Sequence, residues 1–289
     1  MILPRLEEVM GPLPKLPKGP PRFSVQSETR DGGLLRRHIT YEAEQGDMVP
    51  AWLLLPANPE RRKRPAVLCL HQTTKIGKDQ PAGLGDKPNL HYARELALRG
   101  YVALAPDYPN FGEYRYDPYA HGYASASMKG IVNHMRAVSL LSALPYVDPK
   151  KIAVCGHSLG GHNSLFVAAF DRRIRAVITS CGFTSFAKYY GGDLTGWSHK
   201  GYMPRIAART PEAMPFDFKD VLAAIAPRPV FVNAPLRDAN FDASGVDDAV
   251  RDSKHPKIRV EHPDCEHDFP PEIRQAAYAW LDYSLTTSD

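Results

Sequence analysis

Ser158 stands at the centre of Gly156-His157-Ser158-Leu159-Gly160, between the apolar run "KIAVC" and the small-residue run "HNSLFVAAF". A tight turn is the plain reading of two glycines around a serine. The pattern is G-x-S-x-G, however, and the flanking runs read as a strand entering it and a helix leaving it. In that setting a sharp turn holds a hydroxyl clear of the backbone, and the new helix aims its N–H groups at the same spot. A serine hydroxyl attacks poorly unless a base takes its proton, and the base needs an acid to orient it. In chain order the acid and then a histidine are expected, each just past a strand. Asp238 and Asp242 follow the strand-like "PVFVNAP", and Asp238 is nearer its end. His267 follows "KIRVEHP" in the polar stretch "DCEHDFP"; His262 lies too close to that run and His255 precedes it. The expected set is Ser158, Asp238 and His267. Negative charge developing on an attacked carbonyl oxygen needs two donors. The Leu159 N–H supplies one. The loop after "AVLCL", His71-Gln72-Thr73, supplies the other, assigned to the Thr73 N–H.

The elements that must hold these residues follow from hydrophobic pattern. Residues 1–30 are proline-rich and read as an arm over the surface, and residues 31–289 as a single domain. "LLRRHITYEAEQGDMVPAWLLLP" predicts two strands around a Gly-Asp turn. From Pro65 onward, short continuous apolar runs such as "AVLCL" and "YVALAPD" alternate with helical segments. One helix places Met128, Ile131, Met135, Val138 and Leu141 at helical spacing. That alternation is α/β, with right-handed crossovers and a parallel sheet. Residues 183–225 break the rhythm and are expected to form a cap or lid insertion before the acid-bearing strand, at the end of the sheet where ligands bind. Its Tyr189, Tyr190 and Trp197, with Tyr108 from the loop after "YVALAPD" and Gln72, are candidate substrate contacts. Such aromatics stack on sugar or aryl groups, or pack a lid onto the domain.

Composition bounds the partners. At 289 residues and 43% hydrophobic, the chain can bury a large core. Net charge is +4, and the tight run Arg61, Arg62, Lys63, Arg64 reads as a solvated turn, so no nucleic-acid partner is expected. No apolar run approaches the roughly 20 residues of a membrane span. The first residues lack the basic start and apolar run of a signal peptide. A cytoplasmic protein is expected, or a secreted or periplasmic one with its leader removed. Cys69, Cys155, Cys181 and Cys265 form no CxxC pair and read as buried free thiols, with no metal site.

From Trp52 to the C-terminus the chain resembles the α/β-hydrolase superfamily, and within it the dienelactone-hydrolase-like and acetyl-xylan-esterase-like branch. The anchors are "LCLHQTTKIGK", "YVALAPDYPNFG", "GHSLGGHNSLF", "APRPVFVNAPLRD" and "CEHDFP". The resemblance implies a three-layer sandwich around an eight-stranded, mostly parallel sheet, a Ser-Asp-His triad at Ser158, Asp238 and His267, and no cofactor. Two departures stand out. Dienelactone hydrolases proper carry a cysteine nucleophile where this chain has Ser158. The oxyanion loop commonly reads His-Gly, and here Gln72 takes the glycine's place. The expected activity is hydrolysis of carboxylic esters through an acyl-enzyme, with acetylated carbohydrate or small aryl esters as substrates. A peptidase or amidase on the same triad is the alternative among enzymes, and a non-catalytic binding protein is the alternative outside them.

Overall fold

A computed structural model describes residues 2–59 and 62–286. Arg61 of the basic run lies outside the described residues. The strands are β1 (Phe23–Asp31), β2 (Leu34–Glu44), β3 (Asp47–Pro56), β4 (Arg64–Leu70), β5 (Val102–Pro106), β6 (Val147–His157), β7 (Ile174–Ser180), β8 (Val230–Asn233) and β9 (Ile258–Glu261). The helices are α1 (Leu3–Met10), α2 (Tyr92–Leu98), α3 (Ala126–Ala143), α4 (Leu159–Phe170), α5 (Phe218–Ile225), α6 (Ala243–Ser253) and α7 (Pro271–Thr286). The strands form one nine-stranded sheet in the order β1-β2-β3-β5-β4-β6-β7-β8-β9. Pairing is antiparallel from β1 to β5 and parallel from β5 to β9. This is the α/β-hydrolase architecture, with one strand more than the eight expected.

The extra strand is β1, from the segment read as an arm. Every residue of β1 is exposed, so it carries no hydrophobic pattern to announce it; its backbone pairing with β2 makes it a strand. The same segment also contributes α1, whose Leu6, Val9 and Met10 are fully buried in the main core. Ser125, the N-cap of α3, accepts from the Met128 N–H and donates from Oγ to the Met10 carbonyl at 2.7 Å, tying the two helices.

Period-two alternation divides the core into two layers. On β4, Ala66, Leu68 and Leu70 face the layer under α3 and α4, while Val67 and Cys69 face α2 and α7. Met128, Ile131, Val138 and Leu141 of α3 are buried and Met135 is partly so. Each fully buried aliphatic side chain contributes about 1.5–3 kcal/mol. Cys69, Cys155 and Cys181 are buried free thiols; Cys265 is half-buried. No helix among the described residues is long and apolar enough to cross a membrane. Residues 181–217 run from β7 to α5 through short 3-10 turns and pack on α4 and α5.

Candidate active site

β6 ends at His157 and α4 starts at Leu159, leaving Ser158 alone at the junction with φ 54° and ψ −117°. A non-glycine residue there stores on the order of 1–3 kcal/mol, which the surroundings must offset. The Ser158 N–H donates to the Ser180 carbonyl at 2.8 Å, and the Ser158 carbonyl accepts from Gly161 at 2.8 Å. Close approach explains both motif glycines. A Cβ on Gly156 would stand 2.2 Å from the Gly160 carbonyl oxygen, and one on Gly160 would stand 1.8 Å from that of Leu70.

Asp238 lies past the end of β8 and is buried. Its Oδ1 accepts from the Asn240 N–H at 2.8 Å and the Phe241 N–H at 3.2 Å. His267 Nδ1 approaches Oδ2 at 2.8 Å and Oδ1 at 2.9 Å. Burial raises the Asp238 carboxyl, but the bond and charge of His267 with the two N–H groups outweigh it and hold the carboxyl below its ordinary value. Nδ1 facing a carboxylate carries the proton, which leaves Nε2 for another partner. The alternatives are occupied elsewhere. Asp242 caps α6 through Ser244. His262 bonds the Ala234 carbonyl and Asp247. His255 Nδ1 accepts from the Lys257 N–H.

Ser158, His267 and Thr73 line one cleft of about 800 Å³. Among the described residues, neither the Leu159 N–H nor the Thr73 N–H has a protein acceptor. A second layer lies beneath. The His157 ring is 4.8 Å from that of His267. His157 Nδ1 meets Ser180 Oγ at 2.9 Å, and Asn233 Nδ2 donates to that oxygen and to the Asp268 carbonyl, each at 2.8 Å. Burial first, then His267 and Lys87, push the His157 pKa well down.

Cys181, Asp238 and His267 bring ligand-type atoms within 4.8 Å of one another. The set fits a metal poorly. Burial pushes the Cys181 thiol up, so it stays protonated, and the carboxylate is already committed to three donors.

Of the expected substrate contacts, Gln72 and Tyr189 line the cleft. Tyr190 is 58% exposed and donates to Asn240 Oδ1 at 2.8 Å, outside the lining. Trp197 and Tyr108 also lie outside the lining. Trp197 is 3% exposed and belongs to the core, ringed by His162, Phe186, Tyr189 and Phe218. Tyr108 is also buried, its hydroxyl donating to the Gly201 carbonyl at 3.0 Å. Both rings are spent on holding the insertion down. The residue missed is Tyr202, which lines the cleft and meets Thr73 Oγ1 at 3.1 Å through its hydroxyl. It is one aromatic among several in the insertion, and periodicity could not single it out. Asn240 and Phe241 also line the cleft; their nearness to Asp238 was the available signal.

Residues 89–238, just over half of the chain, match the sequence profile of the prolyl oligopeptidase family. The chain belongs to this family. The prolyl oligopeptidase match includes Ser158 and ends at Asp238. An uncharacterized protein of Pseudomonas aeruginosa, PA2218, is 31% identical over 166 residues, 57% of this chain and 39% of that protein. The match therefore spans well under half of that relative's length. Among solved structures, a glucuronoyl esterase from Solibacter usitatus superposes with a TM-score of 0.77 at 17% identity, covering 98% of this chain and 91% of the other. Acetyl xylan esterase 1 from Thermoanaerobacterium sp. superposes at 0.68 and 16%, covering 98% and 99%. At such identities the likeness concerns the fold, and it agrees with the α/β-hydrolase architecture of this prolyl oligopeptidase family member.

Proposed function

We propose that the chain is a serine hydrolase of carboxylic esters. The observation that carries this reading is one cleft lined by Ser158, Thr73 and a His267 already oriented by Asp238, with the Leu159 N–H next in the chain to Ser158 and, like that of Thr73, without an acceptor among the described residues. His267 Nε2 takes the proton of Ser158 as Oγ attacks the acyl carbonyl. The Leu159 and Thr73 N–H groups receive the oxyanion, aided by the N-terminal end of α4. The C–O bond to the alcohol breaks, and the alcohol leaves with the proton from His267. Water, deprotonated by the same nitrogen, attacks the acyl-enzyme; the acid departs and Ser158 regains its proton.

The lining supports a substrate class. Gln72, Tyr189, Tyr202 and Asn240 offer hydroxyl and amide groups beside aromatic faces, a surface suited to a polyhydroxylated, acylated ligand. The names of the glucuronoyl and acetyl xylan esterases agree with that surface. Acetylated carbohydrate is the first assignment and small aryl esters the second. The prolyl oligopeptidase match favours a second reading, amide hydrolysis on the same triad.

One comparison separates them: kcat/KM on p-nitrophenyl esters of rising chain length and on acetylated xylo-oligosaccharides, beside Xaa-Pro p-nitroanilides. Ester turnover that exceeds anilide turnover supports the proposal. Turnover confined to the anilides contradicts it.

A further inference from the structure

The two expected oxyanion donors are held by different means. Leu159 opens α4, so the helix sets the direction of its N–H. Thr73 lies in a loop, and its N–H direction must come from elsewhere. His71 is buried next to it. His71 Nε2 lies 3.0 Å from the backbone nitrogen of Tyr108, and Nδ1 lies 2.6 Å from the carbonyl oxygen of Gln72. A backbone N–H only donates and a carbonyl only accepts. One tautomer satisfies both contacts: hydrogen on Nδ1, none on Nε2. The Nδ1–H therefore pins the Gln72 carbonyl. A trans peptide is planar and points its C=O and N–H in opposite directions. Fixing the carbonyl toward His71 directs the Thr73 N–H away from it, and Thr73 borders the cleft with Ser158.

We infer that His71 is the positioning residue of the oxyanion hole, orienting the Thr73 N–H through the 72–73 peptide and touching no substrate itself. This rests on the reading of Ser158 as nucleophile. The rest of the loop has its own anchors. The Lys78 N–H donates to Asp107 Oδ1 at 2.8 Å, and Lys78 Nζ lies 3.2 Å from Asp107 Oδ2. The Thr73 side chain is bonded to Tyr202. Neither contact constrains the 72–73 peptide plane; the imidazole does. Burial lowers the His71 pKa and favours the neutral ring, and an imidazolium would also set Nε2–H against the Tyr108 N–H.

His71→Asn and His71→Leu test this as a pair. The two side chains share a shape, and both lose the acceptor for Tyr108. Only asparagine keeps an N–H where Nδ1 stood. His71→Leu should lower kcat by about 10²–10³, the effect of losing one oxyanion donor, while KM moves by roughly threefold at most. Affinity for a trifluoromethyl ketone that adds to Ser158 should fall by the same factor as kcat. His71→Asn should recover kcat to within about tenfold of wild type. Equal kcat in two folded variants overturns the inference, as does a raised KM with kcat intact. If the leucine variant does not fold, asparagine decides alone: a loss of about a hundredfold or more at native melting temperature overturns it. A wild-type chain with no Ser158-dependent activity sinks the functional reading and this inference with it. An active wild type with indistinguishable variants sinks the positioning role only.

Discussion

His267 holds both oxygens of Asp238 with one nitrogen, Nδ1, at 2.8 and 2.9 Å. A carboxylate so placed fixes the tautomer that leaves Nε2 unprotonated, on a residue that lines the cleft. Asp238→Asn should therefore lower kcat by on the order of 10⁴-fold. Asp242→Asn should cost little rate and little stability, because asparagine caps a helix about as well as aspartate. Steady-state kinetics on both variants check this, and the reverse ranking would move the acid to Asp242.

Trp197 belongs to packing, so its removal should be read in stability. Trp197→Ala should cost about 3–5 kcal/mol and leave the ratio of kcat/KM between a bulky ester and p-nitrophenyl acetate unchanged. Tyr189 borders the cleft, and Tyr189→Ala should shift that ratio by roughly 1–3 kcal/mol. Melting temperature measured beside the two rate constants distinguishes the residues. A changed ratio in the Trp197 variant at native melting temperature would return that ring to the substrate.

Acid should destabilise this fold early. Burial pushes His134 and His162 down to about 3, and it is also the chief cause that lowers His71 and lowers His157 well below the ordinary value. In the unfolded chain each takes up a proton near pH 6.5. Below that pH the unfolded state binds protons that the folded state refuses, so stability falls as pH falls. Each histidine contributes up to about 1.4 kcal/mol per pH unit. Urea unfolding should show a steep decline in stability between pH 6.5 and 5, and His162→Phe should make it shallower. A flat profile over that range would contradict the burial of neutral imidazoles.

Lys129 of α3 is fully buried, with Nζ 2.6 Å from Glu44 Oε2 and 2.5 Å from Asp47 Oδ2. Removing the ammonium leaves the buried Asp47 carboxylate without its cation, with only the Tyr114 hydroxyl, among the described residues, donating to it at 2.7 Å. Lys129→Met should cost about 3–5 kcal/mol, and the double variant with Asp47→Asn should recover part of it. Denaturant midpoints of the three proteins check this. Additive losses would show that the pair is not coupled.

Chain order and strand ends made much of this legible. The G-x-S-x-G junction follows from the change of period between "KIAVC" and "HNSLF", and the pairing of Asp238 with His267 follows from where two strands stop. β1 was not legible, because its two faces are both exposed and its strand character comes from pairing alone. Nor could composition divide the aromatics: Trp197 and Tyr202 lie five residues apart in one insertion, and only packing sends one inward and the other to the cleft. The tautomer of His71 depends on the Tyr108 backbone, contributed by the segment after β5.

Whether Ser158 is the nucleophile is read from intact-protein mass after incubation with a fluorophosphonate. The expected result is one phosphonyl group per wild-type chain with loss of p-nitrophenyl acetate hydrolysis, and neither labelling nor hydrolysis in Ser158→Ala. Labelling or turnover that persists in the Ser158→Ala protein would place the nucleophile on another residue.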